Sequence, residues 1–335
     1  MKKHIHHIHI IILAGLVILV LIFVGINKYL DKINFSKSIT FGVSFSSRYA
    51  KELGLDPKKV YSSILNDLRV KNIRLPAYWD EIEPFDSAQG KPFYFNDLDY
   101  YINEASKNNA QVILAIGYKL PRWPECRAPR WIDPARLRQR QLVMLEAVIK
   151  HYENNPTIYA FQLENEPLLE FGICPPIDRE FLIKEVELVK SRTKKPVILT
   201  DSGELRFWKT PMDLSDIFGT TLYRVVDTPW IGPFQYPLRP WFYRVKSDLV
   251  RKIFAPGNLK TIISELQAES WANQPLTQTP IDEQIARFSL NQFKETINFA
   301  RKTGFHSAYL WGAEWWYYLA AQGHPEYLEY AKALF

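Results

Sequence analysis

"TIYAFQLENEP", residues 157–167, is a run of apolar and β-branched residues that stops at Glu164, Asn165 and Glu166, with Pro167 behind them. It is too short for a stable helix and does not alternate polar with apolar, so it reads as a strand buried on both faces. The chain repeats that unit on either side. Seven further runs match it: "ITFGVSF" from Ile39, "NIRLPAY" (72–78), "QVILAIG" (111–117), "PVILTD" (196–201), "DIFGTTLY" (216–223), "KTIISELQ" (260–267) and "HSAYLWGAE" (306–314). Longer amphipathic stretches lie between them, among them "DPKKVYSSILNDLRVKN", "FNDLDYYINEASKNN", "PARLRQRQLVMLEAVIKHYENN", "DREFLIKEVELVKSRT" and "DEQIARFSLNQFKETINFARKTG", several starting at an Asp or Asn suited to capping a helix. The fifth unit is weak, since "ELRFWKTPMDL" makes at best a short helix. Eight strands alternating with helices over residues 40–335 predict an α/β fold, a closed (β/α)8 TIM barrel. An open doubly wound sheet is disfavoured, because no Gly-x-Gly-x-x-Gly turn follows any strand.

The N-terminus reads differently. Ile10 to Asn27 contains no charged residue and is long enough to span a bilayer. The apolar core continues into Ile26, Asn27, Lys28 and Tyr29 with no small-residue cleavage site, so an uncleaved transmembrane anchor is expected. Lys2 and Lys3 precede it without an acidic residue, which places residues 1–9 in the cytoplasm, residues 28–39 as a linker and the barrel domain outside. The expected localisation is the cell membrane, single-pass, with the lipid bilayer as a partner.

The net charge of +6 is spread along the chain without a basic block, so nucleic acid is not an expected partner. His4, His6, His7 and His9 precede the apolar span. His151 falls within a helical pattern, His306 starts a strand and His324 lies in the last loop, so no histidine cluster is offered for a triad or a catalytic metal. No metal or organic cofactor is expected. Cys126 and Cys174 are the two cysteines, in the loops after strands three and four. Those loops share one face of a barrel, so a disulfide between them is expected, as suits a domain outside the cytoplasm.

In such a barrel the chemistry sits at the C-terminal strand ends. All ten tryptophans fall at those ends or in the segments after them, and flat indoles suit stacking on sugar rings. Roughly half are assigned to loop packing. Glu166 ends strand four and Glu265 ends strand seven. Two carboxyl groups facing one another across a glycosidic bond are the machinery of glycoside hydrolysis, one protonated to serve the leaving oxygen and one ionised to attack.

"ENEP" at strand four, "ISEL" at strand seven and "RLPAYW" at strand two resemble the clan A glycoside hydrolases, retaining (β/α)8 enzymes that include the family 5 cellulases. The resemblance covers residues 40–335. It implies Glu166 as acid/base, Asn165 on the sugar 2-hydroxyl, Glu265 as nucleophile, and Arg74 and Tyr223 holding that nucleophile. Trp311 corresponds to the indole flooring the subsite of the cleaved sugar, and Trp79, Tyr118, Trp123, Glu314 and Trp315 are further candidate sugar contacts. Many family 5 enzymes carry histidines at strands three and six, where this chain has Tyr118 and then Tyr223 followed by Arg224. Of the neighbouring glutamates, Glu164 is sent away from Asn165 by strand alternation, toward an ion pair or a loop contact.

The expected protein is a membrane-anchored retaining glycosidase that degrades oligo- or polysaccharides with β linkages through a covalent glycosyl-enzyme. A transglycosylase using the same site, or a carbohydrate-binding barrel without turnover, are the alternatives.

Overall fold

The computed structural model describes residues 15, 24–25, 27–33, 35, 38–84, 93–170, 172–175, 177–228, 232–255, 257–272 and 274–335. The expected transmembrane segment 10–27 lies mostly outside them. Among the described residues no helix is long and apolar enough to cross a membrane. The strands are β1 (Thr40–Ser44), β2 (Asn72–Pro76), β3 (Gln111–Ile116), β4 (Ile158–Leu163), β5 (Val197–Asp201), β6 (Ile217–Leu222), β7 (Val225–Thr228), β8 (Gly232–Gln235), β9 (Lys260–Gln267) and β10 (Ser307–Trp311). Eight of them close into a parallel barrel in the order β1-β10-β9-β6-β5-β4-β3-β2, and each falls inside one of the eight apolar runs. The run count lacks one feature: β7 and β8 pair antiparallel as a hairpin between β6 and the next helix.

The helices start where the sequence offers caps. Asp56 accepts from the backbone N–H groups of Lys58 and Lys59 ahead of helix Pro57–Asn66. Asp178 accepts from Phe181 ahead of helix Arg179–Arg192, and Ser289 with Gln292 forms a capping box at helix Leu290–Thr303. The weak fifth unit yields only the six-residue helix Lys209–Leu214.

Inside the barrel the side chains change character with height. The floor is apolar: Ile113, Ala160, Ile198, Ile217, Ile262 and Tyr309 each come from a different strand and form one cluster. Two residues further along, the same strands present Gln162, Thr200, Gly219 and Ser264. A Cβ at Gly219 would stand 2.9 Å from both Ser264 Cβ and Thr200 Cγ2, so only glycine leaves room for this hydroxyl-bearing layer. Above it lie the carboxyl groups. A bulge delivers one of them. The β6–β9 register pairs Thr220 with Ile263 but Thr221 with Glu265, so Ser264 is the extra residue. Strict alternation from Ile262 and Ser264 would send Glu265 outward; the bulge brings it inward.

Behind β4 a second polar group is sealed from water. Glu164 and Glu185 are fully buried, and Gln141 Nε2 donates to an oxygen of each, at 2.6 and 2.5 Å. Burial, and then the Glu164 charge, holds the Glu185 carboxyl well above its ordinary pKa. Glu164 is also raised, by burial against the opposing N–H bonds from Tyr118 and Lys119. A carboxyl raised on folding contributes most below its unfolded value, and that contribution is lost as pH rises through the folded value. Glu185 also hydrogen-bonds Glu164, and Glu185→Gln replaces the carboxyl proton of that bond with a permanent N–H. Its Tm is expected to match the parent at pH 5 and to exceed it at pH 8, by ~2–4 °C per kcal/mol in a domain of this size. Thermal melts across that range check this, and parallel Tm-against-pH curves would contradict it.

Candidate active site

Arg74, on β2 and 1% exposed, organises the barrel mouth. Its Nε donates to Gln162 Oε1 at 2.7 Å, and one terminal nitrogen donates to Asn165 Oδ1 at 2.6 Å. The other reaches Glu265 Oε1 at 2.9 Å and Ser44 Oγ at 3.4 Å. One guanidinium thus joins β1, β2, β9 and the end of β4. Asn165 Oδ1 is occupied by this bond, which leaves the amide nitrogen as its donor toward the mouth.

Strand β6 and its end hold both candidate carboxyl groups. Thr221 Oγ1 donates to Glu166 Oε1 at 3.1 Å, and Tyr223 Oη donates to Glu265 Oε2 at 2.9 Å. Residues 221 and 223 share a face by strand periodicity, so the two groups are aligned by one stretch of backbone. Tyr223 remains protonated, its pKa raised well above normal by burial and by the Glu265 charge.

Glu166 is reached by a local turn. Glu164 and Glu166 have φ of 57° and 46°, in the left-handed region that non-glycine residues seldom occupy. The turn directs Glu164 backward, where its carboxylate accepts the backbone N–H groups of Tyr118 at 2.8 Å and Lys119 at 2.5 Å. Gly117 makes this possible: a Cβ there would lie 2.3 Å from Glu164 Oε1. The Glu166 N–H donates to Thr200 Oγ1 at 2.9 Å. The fully buried Lys119 ammonium donates to the carbonyls of Glu166 and Leu169, both at 3.1 Å. Cys126 and Cys174 form a disulfide, Cα atoms 5.6 Å apart, tying the loop after β3 to the loop after β4.

The two carboxyl groups differ in environment. Glu265 has a guanidinium against it. Among the described residues no side-chain cation contacts the Glu166 carboxyl, and its pKa lies well above the ordinary range through burial, then the charges of Glu265, Asp201 and Glu125, with Lys119 opposing. Glu125, 3.7 Å from Lys119 Nζ, is itself pushed up to about 7 by burial. Two carboxyl groups in unequal environments, one beside a cation and one raised in pKa by burial, thus share one mouth.

The remaining sugar-contact candidates divide. Trp311 lines a small pocket with Ser44 and Arg74 at the mouth and is 9% exposed, Tyr118 packs partly buried against the core with the Arg138 guanidinium 6.0 Å from its ring centroid, and Trp123 is 55% exposed in the disulfide-tied loop. Trp79 and Trp315 are instead core residues: both are fully buried, with indole N–H groups donating to Glu83 and Gln284 at 2.7 Å, which leaves no face for a sugar. Glu314 is also fully buried, accepting from the Ser46 N–H and from Arg122 at 3.1 Å, so it braces the loop. Arg122 itself carries no sequence signal. Its guanidinium lies 4.1 Å from the Trp311 ring centroid and 3.7 Å from that of Tyr49, ion-paired to Glu269 and Glu314. Thr221 was findable, two residues before Tyr223 on the same strand. Lys119 was not, because nothing marks a lysine for burial.

Residues 33–172 match the family model for cellulase (glycosyl hydrolase family 5). That stretch carries β1 to β4 with Arg74, Asn165 and Glu166. No curated protein sequence matches. Among solved structures, GH5_18 from Streptomyces cattleya in complex with GlcNAc aligns at 11% identity and a TM-score of 0.54, covering 82% of this chain and 70% of that one. Endo-glycoceramidase II from Rhodococcus sp. aligns at 14% and 0.54, covering 82% and 73%. A β-galactosidase from the haloarchaeon Halorubrum lacusprofundi aligns at 13% and 0.55, covering 82% of this chain and 52% of that one. These likenesses concern the fold. On the family match and the barrel, the chain is cellulase-like: a (β/α)8 protein resembling glycoside hydrolase family 5 of clan A, with glycosidase activity supported by that match.

Proposed function

We propose that the protein is a retaining glycosidase acting on β-linked glycans, tethered to the cell membrane by residues 10–27 with its barrel outside the cytoplasm. The observation that carries the chemistry is the unequal pair at the mouth: Glu265 against the Arg74 guanidinium, and Glu166 buried, with no contacting cation among the described residues and its pKa held well above the ordinary range. In the first step a Glu265 oxygen bonds to the anomeric carbon as the glycosidic C–O bond breaks, and the Glu166 proton goes to the departing oxygen. In the second, Glu166 takes a proton from water, the water oxygen bonds to the anomeric carbon, and the ester to Glu265 breaks. Asn165 donates to the 2-hydroxyl, and the protonated Tyr223 keeps its bond to Glu265 until attack.

Glu166→Gln tests the assignment of the acid. With a β-glycoside whose leaving group needs protonation, kcat/KM should fall by about 10²–10⁴-fold. With an activated aryl leaving group the loss in bond cleavage should be much smaller. Equal losses for both substrates would contradict the role.

The protonated form of Glu166 is the active one, so activity should decline as pH rises through its pKa. Because the Glu125 charge helps to raise that pKa, Glu125→Gln should move the alkaline limb to lower pH. A kcat/KM profile of the two proteins checks this, and an unmoved limb would show that Glu125 does not act on Glu166.

A further inference from the structure

We propose that the barrel rests on an anionic bilayer surface through the outer face of helix Pro240–Phe254 and the adjoining turn 204–208. The inference builds on the membrane tether proposed above.

The helix turns Tyr243, Ser247 and Val250 into the barrel. Its opposite face presents Val245, Leu249 and Ile253 at four-residue spacing, 37, 52 and 57% exposed. Leu205 and Phe207 extend this strip, at 57 and 56%, and the Phe207 ring lies 6.0 Å from that of Phe254. Single exposed apolar residues are ordinary on a protein surface; five aligned on one helix face and its neighbouring turn are not.

Cations border the strip. Lys252 lies beside it on the helix, Arg206 on the turn, and Lys209 Nζ sits 4.8 Å from the Phe254 ring centroid. The only acidic residue of the helix, Asp248, is paired to Arg244 at 2.7 Å and to Arg251 at 3.4 Å. An apolar stripe bordered by lysine and arginine is the pattern of a helix lying in a membrane interface, where cations near anionic headgroups add to the apolar attraction.

The path of the chain supplies the location. Leu30, Asp31, Lys32, Ile33 and Phe35 line one cavity of about 820 Å³ together with residues 235–241, which lead into this helix. Residues 27–32 are helical, so Leu30 lies about 4.5 Å along the axis from Asn27, where the apolar run ends. A bilayer entered at Asn27 therefore lies close to this side of the barrel.

The test uses full-length protein reconstituted in vesicles of phosphatidylcholine and phosphatidylglycerol that contain a quencher-bearing lipid. The native cysteines are paired, so Ile253→Cys supplies the one thiol for a fluorescent label. Ser106→Cys, exposed on helix Asn96–Lys107 between β2 and β3 across the barrel, is the control. Quenching is expected to be severalfold greater at 253 than at 106, and to weaken in phosphatidylcholine alone. Flotation of the same samples separates the two ideas. Protein that floats while both labels are quenched equally overturns the docking face and leaves the tether. Protein that fails to float overturns both.

Discussion

The buried Arg74 guanidinium is the constraint around which the mouth of the barrel is built. It donates to Ser44, Gln162, Asn165 and Glu265, so four strand ends meet at one cation. Without it, Glu265 would be a buried carboxylate lacking its counter-ion, and breaking such a pair costs about 3–5 kcal/mol. The rest of the site follows from where this cation is and is not. Glu265 is beside it; Glu166 is not, and its pKa is raised by burial and neighbouring negative charge. Two chemically identical side chains are thereby suited to opposite tasks.

Fixing a carboxyl group to the scale of a bond-breaking step requires its backbone to be fixed as well. Here the segment after β4 is held three ways: by the Thr200 hydroxyl on the Glu166 N–H, by the Lys119 ammonium on two carbonyls, and by the Cys126–Cys174 bridge. The left-handed turn at Glu164 and Glu166 separates the two carboxyl groups of "ENEP". One carboxylate is turned back to cap the end of β3, and the other forward into the mouth.

Much of this was legible in the sequence because buried parallel strands must be apolar on both faces. That requirement located all eight barrel strands, and the residues where apolar runs stop included Glu166, Glu265 and Tyr223. Arg74 came from the resemblance of "RLPAYW" to clan A enzymes rather than from the apolar pattern. The finer placements were not legible. Alternation sends Glu265 away from the interior, and only the bulge at Ser264, a property of the β6–β9 register, corrects it. Trp79 and Trp315 lie near strand ends as sugar-binding indoles would, yet side-chain packing in the loops turned them into the core. Arg122 covers Trp311 through long-range pairing with Glu269 and Glu314, which no local pattern encodes.

The central claim is that Glu265 forms a bond to the sugar. Intact-mass analysis after incubation with a panel of 2-deoxy-2-fluoro-β-glycosides tests it most directly. The account predicts a mass increase of one fluorosugar, carried by the peptide containing Glu265 and absent from Glu265→Gln. An adduct on another residue, or a substrate turned over with inversion and no adduct, would contradict it.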